Sequence, residues 1–140
     1  MESVTATMAS CNGFDPDCIF CQWVRQGRAL ETLGTMAAFT DGYPVTEGHL
    51  LILPRRHISD GFAMTDQEVI DSTVLIRKLS GQIRKNDPSV SGFNIGMNIG
   101  QAAGQSVWHA HIHLIPRRHG DSGDPKGGIR GVIDGKRCYP

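Results

Sequence analysis

Residues 104–118 read GQSVWHAHIHLIPRR, and three of the chain's six histidines, His109, His111 and His113, occupy alternate positions within it. In an extended strand alternate residues share a face, so the three imidazoles would form one row, with Ala110, Ile112 and Leu114 backing onto a core. At about 3.3 Å per residue the outer two Cα atoms of that row lie roughly 13 Å apart. That is too far for all three rings to converge comfortably on one ion. A neighbouring H-x-H pair can share a metal, so the row implies divided labour, with one end for a metal or scaffolding and the rest for chemistry. The bland alternative is a solvated polar face, and strict alternation beside a Gly-Gln-Ser loop argues against it.

The surrounding chain supplies a sheet for such a strand. "CIFCQWVRQG" (18–27) reads as a short helix ended by Gly27, and "ALETLGTMAAFT" (29–40) as two short strands turning at Gly34. "HLLILP" (49–54) is a strand of branched apolar residues closed by Pro54. A helix over Asp66–Asn86 is the clearest element: Thr65 and Glu68 form a capping box, Val69, Leu75, Ile76, Leu79 and Ile83 share a face, and Asp87-Pro88 ends it. "SGFNIGMN" (91–98) alternates, with Phe93, Ile95 and Met97 to the core and Asn94, Gly96 and Asn98 opposite. About five mainly antiparallel strands with one long and one short helix make an α+β fold. Residues 1–16 read as a flexible leader, 17–119 as the domain, and 120–140 as a Gly-rich tail packing on the domain or on a partner.

At 140 residues the chain suits one compact core. Lysines plus arginines equal aspartates plus glutamates at 14 each, so no overall basic field would gather nucleic acid or a membrane surface. No secretion signal or membrane span is evident, which points to a soluble cytoplasmic protein. In that reducing setting the four cysteines read as thiols or metal ligands. Cys18 and Cys21 form a C-x-x-C pair, open to a redox, half-zinc or chance reading, with redox weakest because no thioredoxin-like pattern surrounds it. Cys11 and Cys138 have no obvious partners, and Arg117, Arg118 and His119 read as solvated.

"AGQSVWHAHIHLIPR", with "CIFC", "AFTDGYPVTEGHLLILPRRH" and "FNIGMNIG" upstream, resembles the histidine triad (HIT) nucleotide hydrolases and transferases over about Cys18 to Arg118. The resemblance implies an α+β protomer that dimerises into a ten-stranded sheet and a nucleotidyl transfer in two steps. His111 would be the nucleophile that attacks the α-phosphorus, forming a nucleotidyl-histidine that water hydrolyses to a nucleoside monophosphate such as AMP. Neutral imidazole suits this role near pH 7, provided its other nitrogen donates to a fixed acceptor, in this family a backbone carbonyl. By the same resemblance His113 contacts the α-phosphate, with His49 close to it. Asn98, Gln105 and Ser106 hold the phosphate or leaving group, and Ser106 can pass a proton to the departing atom. Asp41 would accept both ribose hydroxyls, and Ile19 and Phe20 would form an apolar slot for a purine base.

Some microbial members pair the C-x-x-C with two histidines, which carried over gives Cys18, Cys21, His57 and His109 as ligands of a structural zinc. Histidine at position 113 separates the chain from the uridylyltransferase branch, while phosphoramidase and dinucleoside polyphosphate hydrolase branches stay open. Glu47, where many relatives carry proline, departs from the pattern. Two rival readings stand beside the hydrolase: a non-catalytic nucleotide-binding regulator using the same pocket, and a metallohydrolase with zinc on the triad itself.

Overall fold

The computed structural model describes residues 13–138. The expected leader therefore falls mostly outside the described residues, as does Cys11. Helix α1 (Ile19–Arg25) is followed by β1 (Glu31–Leu33), β2 (Met36–Thr40), β3 (Leu50–Pro54), helix α2 (Asp66–Asn86), β4 (Val90–Gly96) and β5 (Ile112–Arg118). The five strands form one sheet in the order β1-β2-β3-β5-β4, antiparallel throughout. This is the α+β architecture expected from the sequence.

Period-two alternation divides the sheet's side chains between two apolar layers. Met36, Ala38, Leu50, Ile52 and Leu114 pack against Leu75 and Leu79 of α2. Ala37, Phe39, Leu51 and Leu53 pack on the opposite face against Cys18, Phe20 and Cys21 from the start of α1. Both faces of β3 are thus covered, which accounts for its unbroken apolar run. The face under α1 is the one that carries the histidines.

Turn chemistry sets the registers. Gly34 has φ +58 between β1 and β2, and Asp71 of α2 caps that turn by accepting from Thr35 N–H at 2.9 Å and Thr35 Oγ1–H at 2.8 Å. A side chain at position 34 would collide with the Asp71 carboxylate. At the start of α2, Thr65 and Glu68 form the reciprocal capping box, and Arg56 donates to both oxygens of Glu68 at 2.8 and 3.0 Å. This clamp fastens the residue before His57 to the long helix.

Four expectations need correction. β5 begins at Ile112, so His109 and His111 precede the paired strand rather than lying in it. Val69 is half exposed, and α2 buries Glu68, Asp71 and Ser72 along with Leu75 and Leu79, because Glu68 meets Arg56 and Asp71 meets the Thr35 turn. β4 stops at Gly96, leaving Met97 and Asn98 beyond it, and Ile95 is exposed on this edge strand. Arg117 and Arg118 are not merely solvated. Arg117 donates to Asn94 and Asp121, while Arg118 reaches Asp87, Thr46 and the Glu47 carbonyl. Arg118 thereby ties the end of β5 to the loop before His49.

Burial disfavours ionisation of Glu68, but the hydrogen bonds from Arg56 and Thr65 outweigh it and hold the carboxyl below its ordinary range. With the folded value depressed, the clamp's contribution is fully present above the unfolded carboxyl value and is lost as pH falls through the folded one. Glu68→Ala should cost about 2 kcal/mol at neutral pH in chemical denaturation, with the deficit against wild type shrinking in acid.

Candidate active site

Cys18 is the N-cap of α1, and its sulfur accepts from Cys21 N–H. One helical turn therefore brings both thiols to one side, while Ile19 and Phe20 project elsewhere. His109 is fully buried and lies 3.5 Å through Nδ1 from each sulfur, and His57 Nδ1 lies 3.3 Å from Cys21 Sγ. All four donor atoms lie within 4.8 Å of one another. Neighbouring S and N ligands of a tetrahedral ion stand about 3.5 Å apart, so the spacing fits.

The partners behind these donors fit too. His109 Nε2–H donates to the Pro54 carbonyl at 2.7 Å, which leaves Nδ1 unprotonated toward the thiols. His57 Nε2 faces the Asp15 carboxylate at 3.8 Å, and Asp15 N–H donates to Cys21 Sγ. Desolvation pushes the Cys21 thiol up to about 12, and burial lowers His109 to about 4. A buried thiol of that kind stays protonated unless a cation draws off the proton. These four residues could hold a metal ion, with every corner filled by protein.

His109 also governs its neighbour. Its backbone carbonyl accepts from His111 Nδ1–H at 2.7 Å, which leaves the His111 Nε2 lone pair uncommitted. Phe20 stands edge-on to both rings, 5.9 Å from His109 and 5.1 Å from His111. His111 is thus oriented from two sides.

His113, opposite Leu51 on β3 and Gly96 on β4, belongs to a second set. Val45 N–H donates to His49 Nδ1 at 3.1 Å, so neutral His49 carries its proton on Nε2. His49 Nε2 lies 2.9 Å from His113 Nδ1, which therefore accepts and leaves His113 Nε2 as an N–H donor. Burial lowers both histidines and keeps them neutral. Asp41 Oδ2 lies 3.4 Å from His49 Nε2 and 3.8 Å from His113 Nδ1.

The trio Asp41, His49 and His113 is also close enough to hold an ion. Its wiring opposes one. A metal-bound imidazole directs its other nitrogen to an acceptor, whereas His49 Nδ1 faces the Val45 N–H donor. Binding an ion through Nε2 would require an imidazolate or a broken hydrogen bond. The arrangement suits proton placement instead.

A cavity of about 610 Å³ opens beside His111 and His113, with Asp41, Asn98, Ser106, Ile19 and Phe20 in its wall. Trp23, Gly42, Tyr43, Leu51 and Val107 complete the lining. Gln105 stands apart: it accepts from Gly100 N–H and donates to the carbonyls of Ser59 and Val107, so it braces the 100–107 loop.

A family model described as the HIT domain matches residues 26–120. The chain belongs to the HIT family. This HIT chain is 32% identical over 108 residues to an adenosine 5'-monophosphoramidase of Candida albicans, covering 72% of the chain and 70% of that protein. It is 39% identical over 85 residues to an asymmetrical bis(5'-nucleosyl)-tetraphosphatase of Schizosaccharomyces pombe, covering 61% of the chain and 46% of the relative. A zinc-bound histidine triad family protein from Mycobacterium smegmatis matches the fold with a TM-score of 0.69 at 29% identity, covering 76% and 78% of the two chains.

Of the thirteen site residues expected from the sequence, twelve lie in two adjoining clusters of this HIT fold, and Gln105 lies on the loop. Trp23 and Tyr43 of the cavity wall were not expected, although Trp23 follows Phe20 by three positions and so shares its helix face. The backbone groups of Val45 and Pro54 act through fold rather than residue type and carry no signal in the sequence. Elemental analysis should find about one tightly held ion per chain. Cys21→Ser should lose that ion and lower the melting temperature, while the content of an Asp41→Ala variant stays at the wild-type level.

Proposed function

We propose that this HIT protein hydrolyses a nucleotide phosphoramidate or a dinucleoside polyphosphate by nucleotidyl transfer through His111. The observation that carries the reading is the 2.7 Å hydrogen bond from His111 Nδ1–H to the His109 carbonyl, which leaves Nε2 as the attacking atom. Nε2 forms a bond to the α-phosphorus as the bond to the leaving oxygen or nitrogen breaks. The imidazolium that forms keeps its Nδ1–H on the carbonyl, where positive charge strengthens the hydrogen bond. Water then attacks the same phosphorus, the P–N bond breaks, and a nucleoside monophosphate departs with His111 restored.

Other groups serve charge and position. His113 Nε2–H donates to a phosphoryl oxygen, and its tautomer is imposed by His49. Asn98 and Ser106 receive the phosphate and leaving group from the cavity wall, with Ser106 supplying a proton to the departing atom. Gln105 acts behind them by holding their loop. Asp41 takes the ribose hydroxyls, and Ile19 and Phe20 flank a purine base. The relatives with phosphoramidase and tetraphosphatase names support this substrate class.

Zinc is the ion proposed for Cys18, Cys21, His57 and His109, a soft and nitrogen donor set with no open position for water. Its part is structural: it holds the His109 side chain and the start of α1. No helix among the described residues is long and apolar enough to cross a membrane. Pairing β4 with a second copy would cover the edge strand and the exposed Ile95, in keeping with a homodimer.

His111→Ala should lower kcat against adenosine phosphoramidate by at least about a thousandfold while AMP binding stays within a few-fold of wild type. Acid-quenched wild type should carry an adenylyl group on His111 in peptide mass spectra. Undiminished turnover in the variant would contradict the assignment and leave a binding protein as the better reading.

A further inference from the structure

We propose that Asp41 has a task beyond the sugar: it is a positioning residue whose charge holds the His49–His113 pair in the tautomer that presents His113 Nε2–H to the phosphate. This rests on the proposed nucleotidyl transfer. The geometry separates the two oxygens of Asp41. Oδ1 accepts from Tyr43 N–H at 2.7 Å, a local turn that fixes the carboxylate at the mouth of the 41–49 loop. Oδ2 faces the histidine pair, 3.4 Å from His49 Nε2 and 3.8 Å from His113 Nδ1.

Val45 N–H donates into His49 Nδ1 at 3.1 Å and favours the tautomer with the proton on Nε2, which the carboxylate then reinforces. The single proton of His49 sits on Nε2, between two acceptors: His113 Nδ1 at 2.9 Å and Asp41 Oδ2 at 3.4 Å. The carboxylate draws that N–H into place and keeps it pointed at the pair. Among the described residues it is the one anion that raises proton affinity in both rings, against the burial that lowers it. When the phosphoryl oxygens gain charge, a His113 already held with its proton on Nε2 meets them as a donor without reorganisation. A neutral amide in its place would present a mixed donor and acceptor edge, and an NH2 facing His49 Nε2–H would turn that N–H away. Sugar recognition and phosphate chemistry then share one carboxylate.

Asp41→Asn and 2',3'-dideoxy substrates separate the two tasks. Asparagine can still accept from Tyr43 N–H, so the turn survives, and a dideoxy nucleoside phosphoramidate offers no hydroxyl for the carboxylate to receive. With the ribonucleotide, Asp41→Asn should raise KM and lower kcat. With the dideoxy substrate the variant should still show a kcat at least about tenfold below wild type. Nitrogen-15 correlation spectra should show His113 protonated on Nε2 in wild type and a mixture of tautomers in Asp41→Asn. Asp41→Ala, judged folded by its melting curve, should share the kcat deficit. Equal kcat for wild type and variant on the dideoxy substrate, with an unchanged His113 tautomer, would overturn this role and leave Asp41 a sugar ligand alone. Failure of wild type to turn over either substrate would overturn the nucleotidyl-transfer reading and this one with it.

Discussion

The chemistry proposed for this molecule depends on the carbonyl of His109 as its fixed point. Its side chain is held at both ring nitrogens, by the Pro54 carbonyl on one side and the two thiols on the other. A residue anchored so firmly cannot swing its backbone, so the acceptor it offers to His111 stays in place. The thiols in turn belong to the first turn of α1, which places Ile19, Phe20 and Trp23 along the cavity. One buried cluster therefore joins the wall proposed for the base to the atom proposed for attack. A metal held there would support folding and the geometry proposed for catalysis through the same residues.

Two histidine-bearing clusters are wired for opposite roles, and the direction of one donor separates them. At His109 the far nitrogen meets a carbonyl, so the near nitrogen is a lone pair ready for an ion. At His49 the far nitrogen meets an N–H, so the near nitrogen carries a proton. Residue type and proximity alone would treat both as metal sites. The backbone partner decides between coordination and proton placement.

Much of this was legible in the chain because periodicity and turn chemistry agree. The capped α2 helix, the Gly34 turn and the apolar β3 are local signals, and each appears where it was read. The division of labour read from the H-x-H-x-H pattern rested on an imperfect premise. His109 and His111 precede the strand, and their separation comes from anchoring partners on α1 and β3 rather than from strand alternation. Val69 and Ile95 misled because an apolar residue at core spacing can still face outward at a helix start or a sheet edge. Gln105 lies beside the site in sequence, yet three loop partners claim its amide. Such competition for a side chain's hydrogen bonds is invisible until the loop is closed.

The central claim is that the phosphorus is attacked twice, first by His111 Nε2 and then by water. Each in-line displacement inverts the phosphorus, so two of them restore its original configuration. The most direct measurement is the stereochemical course of hydrolysis of a nucleotide substrate made chiral at the α-phosphorus with sulfur and oxygen-18. Net retention in the nucleoside phosphorothioate product is the predicted result. Net inversion would mean a single attack by water and would contradict a covalent intermediate on His111.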